Sequence, residues 1–167
     1  MSKTTDNLEF AFAGESQANR KYIFFAEKAE EGDQKRIARL FRAVAEAETV
    51  HARNHLKAMQ GIKATEENLL TAIGGENHEF IEMYPVFIKQ AGIDDEKKAA
   101  GSFDLANKVE QIHHGLYQDS LNRLEQGETM ELKPFYVCQY CGNTVEGEAP
   151  NICPICGVSK RMFKLIE

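Results

Sequence analysis

All four cysteines of the chain fall in one short stretch, as Cys138-Gln139-Tyr140-Cys141 and Cys153-Pro154-Ile155-Cys156. Eleven residues separate the two pairs, and each pair is followed by a glycine, Gly142 and Gly157. A Cys-x-x-Cys-Gly turn brings two thiolates to one metal and aims backbone N–H groups at sulfur, and glycine permits the tight backbone. Two such turns specify a tetrahedral four-thiolate site. Residues 134–167 are too few to bury a core unaided, so the metal acts as their staple. Zinc or a single iron could fill the site, and ligand type alone does not decide. Tyr136, Tyr140 and Phe163 are the expected packing around it.

The residues before this tail have a different pattern. Helical spacing runs over 7–31, 34–60, 76–91 and 95–125, with Gly32, Gly61, Gly92 and Gly127 as stops. The stretch between the second and third patterns holds a short helix over 66–73 and exceeds a simple turn, which fits a four-helix bundle with one long crossover. Pro85 falls inside the third pattern and should bend it. Residues 126–129 read as a linker. The expected organisation is mainly α: a bundle over 1–128, then a small metal-knuckle domain over 134–167.

The inward stripes of these helices carry glutamates. The first stripe is Leu8, Phe12, Glu15, Ala18, Tyr22, Phe25 and Ala29, and the second includes Phe41, Val44, Glu48 and His51. The third includes Glu79 and Glu82, and the fourth includes Ala106, Glu110, His113 and Tyr117. A buried carboxylate is costly unless it is paired or binds a metal. One such residue could be an isolated oddity, but one or more on every helix points to a shared cation. Glu48-x-x-His51 and Glu110-x-x-His113 each place a carboxylate and an imidazole one turn apart on one face. Two Glu-x-x-His pairs plus glutamates from the other two helices match the ligand pattern of ferritin-like di-iron and di-manganese carboxylate bundles. Oxygen and nitrogen donors suit iron or manganese, and a four-sulfur site on the same chain favours iron. Tyr22, two turns after Glu15, is either a core aromatic or a hydroxyl within reach of a ligand or oxidant. His55, His78 and His114 read as ordinary side chains.

Other function classes are excluded by totals. The net charge of -6 argues against a nucleic-acid partner. No apolar run approaches the ~20 residues of a membrane span, and the N-terminus lacks an apolar signal core. Clustered cysteines without such a signal predict a reducing, cytoplasmic setting.

Phe12-Ala13-Gly14-Glu15-Ser16-Gln17-Ala18, Glu48-x-x-His51, His78-Glu79-Phe80-Ile81-Glu82-Met83-Tyr84-Pro85, Glu110-x-x-His113 and the double Cys-x-x-Cys-Gly together resemble the rubrerythrin family over essentially the whole chain. The tail alone is similar to rubredoxin. The resemblance implies a ferritin-like bundle followed by a rubredoxin-like domain, and a non-haem peroxidase that reduces hydrogen peroxide to water and protects against oxidative stress. It implies a di-iron centre on Glu15, Glu48, His51, Glu79, Glu82, Glu110 and His113, with Tyr22 at the site. A mononuclear iron on Cys138, Cys141, Cys153 and Cys156 would relay electrons from a donor such as rubredoxin or a reductase. A homodimer is implied, in which the rubredoxin-like domain of one subunit lies near the di-iron site of the other. The family often has a second tyrosine where this chain has Phe87. Charge counting suggests why one ligand is in excess. Glu15, Glu48, Glu79, Glu82 and Glu110 balance two ferric ions with one hydroxide, whereas two ferrous ions carry one charge fewer. Exchange of Glu82 for neutral His51 on reduction would keep the site neutral. An iron oxidation and handling protein of the ferritin type, and a zinc-knuckle interaction module, are the competing readings.

Overall fold

A computed structural model describes residues 2–166. It divides into two compact units, Met1–Lys63 and Ala64–Glu167.

The first unit is a helical hairpin of α1 (Lys3–Glu31) and α2 (Lys35–Ala58). Ser2 caps α1 by accepting the Thr5 amide at 3.2 Å, and Asp6 in the first turn meets the positive end of the helix dipole. Gly32 closes α1, and Asp33 turns the chain with a φ of 55°. The seam is made of small residues, with Ala26, Ala38 and Ala45 all buried. Alanines let the two backbones approach closely, and Asn19 uses that approach. Its Nδ2 donates to the Ala45 carbonyl at 2.7 Å and to Thr49 Oγ1 at 2.9 Å. Tyr22, Phe25 and Phe41 form an aromatic cluster towards the hairpin end, with ring centroids 5.6–6.3 Å apart.

In the second unit, α3 (Thr65–His78) runs directly into a π-helical turn, Glu79–Met83, and then α4 (Tyr84–Ile93). The short helix and the third pattern expected from the sequence are therefore one helical run, and only residues 59–64 separate α2 from α3. Gly74 and Gly75 are helical within it. Pro85 stands in the first turn of α4, where a missing amide hydrogen costs little, so the irregularity falls at the π turn before it. Helix α5 (Lys97–Glu125) packs on both α3 and α4. Val109, Leu121 and Ala91 are its buried core, and Tyr84, Phe87 and Phe103 interlock beside them.

The tail forms a three-stranded antiparallel sheet in the order β2 (Thr144–Glu146), β1 (Phe135–Cys138), β3 (Phe163–Ile166). Phe135 pairs with Glu146 on one side and Ile166 on the other. The sheet meets α5 through β2, so the knuckle belongs to the same compact unit as α3 to α5.

Replacing Asn19 with alanine should lower the unfolding free energy by about 1 kcal/mol, the usual net worth of a hydrogen bond lost with no charge involved. Chemical denaturation of the metal-free protein would measure this, and an unchanged midpoint would contradict the role given to Asn19.

Candidate metal centres

Three groups of metal-ligating side chains converge among the described residues. The first lies in the helical hairpin. Its members are Glu15, Glu48 and His51, with all ligand atoms within 4.8 Å of one another. His51 Nδ1 is 3.0 Å from Glu48 Oε2 and 3.9 Å from Glu15 Oε1. The i,i+3 spacing of Glu48 and His51 on α2 brings them to one face, and Glu15 meets them from α1.

The second group repeats this geometry in the other unit with Glu76, Glu110 and His113. His113 Nδ1 is 2.8 Å from Glu110 Oε2, and its Nε2 is 3.0 Å from Thr144 Oγ1. Glu76 comes from the last turn of α3 and was missed by the periodicity reading. That reading ended a short helix at 73, began the third pattern at 76, and took Glu79 and Glu82 as its inward acids. Glu79 faces the same cluster: burial, and next the Glu110 charge, raise its carboxyl above the usual range. Tyr84 also turns towards these acids. Burial and then the charges of Glu79, Glu110 and Glu76 raise its phenol above the ordinary value.

Glu82 stands apart from both triads. It is absent from the cluster and pairs instead with His78, whose Nδ1 lies 3.2 Å from its Oε2. The side chain of Glu82 is 67% exposed. The π turn is the physical reason. It adds a residue to the turn containing Glu79, and so rotates Glu82 off the face that an ideal α-helix would give it. Tyr22 is in the aromatic cluster of the hairpin. His114 stacks edge-on against Phe80.

The donor chemistry fits a cation. Burial, followed by the neighbouring Glu110 carboxylate, pushes Glu76 up to about 6, although His113 acts in the opposite sense. The Thr144 hydroxyl donates its one proton to the Gly142 carbonyl at 3.1 Å. Its oxygen also lies 3.0 Å from His113 Nε2, and accepts from Nε2–H whenever Nδ1 ligates a metal. His113 Nδ1 and Glu110 Oε2 lie 2.8 Å apart beside the raised Glu76 carboxyl, so a ring nitrogen and two acids crowd one point. A metal ion between such donors removes the conflict.

The third group is the four-cysteine knuckle. Sγ of Cys138 lies 3.7 Å from that of Cys156, and Sγ of Cys141 lies 3.7 Å from that of Cys153. A tetrahedron with metal–sulfur bonds of about 2.3 Å has edges of about 3.8 Å, which these two distances match, and all four sulfurs lie within 4.8 Å of one another. Cys138 and Cys153 are buried. Burial opposes ionisation of Cys153, but amide hydrogen bonds from Cys156 and Ile155 outweigh it and draw the thiol down to about 7. Burial holds Cys141 and Cys156 above their usual value. The fully buried Asn143 points Nδ2 at Cys153 Sγ at 3.7 Å. Gly142 has a φ of 84°, which closes the first knuckle with its amide on the Cys138 carbonyl at 2.8 Å.

Carboxylate–histidine triads on paired helices and a tetrathiolate knuckle on the same chain define a class: non-haem iron proteins that combine a di-iron carboxylate domain with a rubredoxin-like one. The comparisons specify the family. The rubrerythrin family model matches residues 6–121, and the model of the rubredoxin-like domain of rubrerythrin matches residues 136–164. The chain is 35% identical to rubrerythrin-2 of Clostridium acetobutylicum, over 96% of this chain and 95% of the relative. It is 31% identical to rubrerythrin of Nitratidesulfovibrio vulgaris, over 99% and 95%. Solved structures of nigerythrin, one of them fully reduced and all ferrous, match with a TM-score of 0.58 at 31% identity, covering 99% of this chain and 88% of theirs. The chain belongs to the rubrerythrin family, a family of oxidoreductases, and its cofactors are a di-iron centre and a one-iron, four-cysteine site. Among the described residues, no helix is long and apolar enough to cross a membrane.

The pH response of the metal-free protein follows from Glu76. Its folded carboxyl titrates above the usual 4.5, so its contribution to stability is present at low pH and is lost as pH rises towards and through about 6. Glu76→Gln should remove that loss and stabilise the metal-free protein at pH 7 by on the order of 1 kcal/mol after solvent screening. The same variant should lose metal. Thermal unfolding from pH 4 to 8 checks the sign, and an unchanged slope would refute it.

Proposed function

We propose that this chain is a peroxidase that reduces hydrogen peroxide to water. The balance is one peroxide, two electrons and two protons giving two waters. The observation that carries the reading is the docking of an electron-carrier knuckle beside a carboxylate–histidine metal cluster, with Thr144 of the knuckle 3.0 Å from His113. Storage of iron needs no such attachment.

In this reading Glu15, Glu48, His51, Glu76, Glu79, Glu110 and His113 hold the two irons, and Cys138, Cys141, Cys153 and Cys156 hold the third. Bound iron supplies the electrons that break the O–O bond. The chain supplies position, protons and shelter. His113 is oriented by hydrogen bonds at both ring nitrogens. Burial raises the carboxyls of Glu76 and Glu79 in the metal-free chain, so binding of a metal there would displace their protons. Tyr84 stays protonated beside them and can donate a hydrogen bond from the same face. A cavity of about 400 Å³, lined by Glu76, His113, Leu116, Tyr117, Phe135 and Thr144, leaves room for a molecule as small as peroxide next to the cluster. The free cysteines suit a reducing cytoplasm. A homodimer, fed by a rubredoxin or a reductase, completes the proposal. The knuckle in this structure contacts α5 of its own chain, so delivery within one subunit is open to it as well.

Reduced, iron-loaded protein should be oxidised by peroxide faster than by air and should turn over with an electron donor. Glu76→Gln should abolish turnover, and Glu82→Gln should leave it within about twofold. Failure of peroxide to oxidise the reduced protein would reject the peroxidase reading, and accumulation of a mineral core would favour iron handling.

A further inference from the structure

Thr144 is the first residue of β2 and lies outside both ligand sets, yet it touches both domains. Its hydroxyl donates to the Gly142 carbonyl at 3.1 Å, and its oxygen lies 3.0 Å from His113 Nε2. Gly142 directly follows the ligand Cys141, and its amide is on the Cys138 carbonyl at 2.8 Å. Cys138 in turn donates its amide to the Asn143 carbonyl at 2.9 Å. The Gly142–Thr144 segment is therefore fixed by the same hydrogen bonds that shape the first thiolate turn. A Cβ on Gly142 would sit 3.7 Å from Val109 of α5, so this segment is also where the knuckle meets the helix carrying Glu110 and His113.

We propose that Thr144 is a positioning residue: its hydroxyl holds His113 as the Nε2–H tautomer, leaves Nδ1 for metal, and forms a bonded path between the four-cysteine site and the His113 cluster. From Cys141 the path runs through one peptide unit to the Gly142 carbonyl and then across two hydrogen bonds to the imidazole. Each partner can do only one thing. With Nδ1 on a metal the ring's one proton sits on Nε2, so the imidazole donates and the Thr144 hydroxyl gives its own proton to Gly142. A ligating histidine whose second nitrogen is held in this way is fixed in tautomer and ring orientation, and removal of such a partner typically costs 10–100-fold in metal affinity or activity. The electron-transfer half of this inference rests on the proposed peroxidase reading. The tautomer half does not.

The test compares full-length Thr144→Val and Thr144→Ser with the parent. In zinc-loaded protein, nitrogen-15 NMR of the histidine rings reads the His113 tautomer without any turnover. The parent and Thr144→Ser should show an Nε2-bound ring proton protected from solvent exchange, and Thr144→Val should lose that protection. In fully reduced, iron-loaded protein mixed with peroxide, stopped-flow absorbance follows the four-cysteine iron turning ferric. Thr144→Val should slow that phase at least tenfold, and Thr144→Ser should restore it to within about twofold. An Nδ1–H tautomer in the parent, or a valine variant with the parent's protection and rate, would overturn the proposal. If the parent's knuckle iron is never oxidised by peroxide, the peroxidase reading and the coupling path both fall, and the NMR result alone then decides the positioning role.

Discussion

Acid groups crowded on a helix face set the terms for everything else in the second unit. The groups acting on Glu76 are two carboxylates, Glu110 and Glu79, and one imidazole, His113. That set cannot be fully ionised and stable without added positive charge, because each like charge raises the cost of the next. Protonation resolves the conflict in the metal-free protein, and metal resolves it in the holoprotein. The helices are therefore built to hold a destabilised cluster in place. The aromatic interlock of Tyr84, Phe87 and Phe103 and the buried Val109 and Leu121 provide the packing that holds it.

The hairpin of α1 and α2 reaches the same chemistry by a different route. Its buried residues are alanines, and its cross-helix bonds come from Asn19. Small residues draw the backbones close enough for Glu15 to meet Glu48 and His51. Both units thus carry one Glu-x-x-His and a glutamate from the neighbouring helix, and Glu79 is an additional acid in the second. The knuckle differs in kind. Its four sulfurs stand at tetrahedral spacing because two glycine-closed turns and the Asn143 side chain fix them, whichever metal occupies the site.

Much of this was legible in the sequence. Four clustered cysteines can do little else at that spacing, and Glu-x-x-His on an apolar stripe carries its own geometry. The third helix was misread for two local reasons. Gly74 and Gly75 each cost about 1 kcal/mol in a helix relative to alanine, so they look like a break. Packing of α3 on α5 overrides that cost, and Glu76 is thereby carried into the site. The π turn has no signature in a three-and-four spacing count, in which Glu76 and Glu82 stand equally three residues from Glu79. Thr144 was invisible for a simpler reason: its role exists only once the knuckle is docked on α5, and no local pattern reports docking.

The central claim is that Glu76, Glu110 and His113 bind metal together and that Glu82 does not. An iron-loaded crystal with anomalous scattering data measured at the iron edge tests it most directly. The expected result is an anomalous peak within about 2.0–2.2 Å of His113 Nδ1 and of oxygens from Glu76 and Glu110, and a second set of tetrahedral bonds at the four sulfurs. An iron bound through Glu82, or one bound to His113 through Nε2, would contradict it.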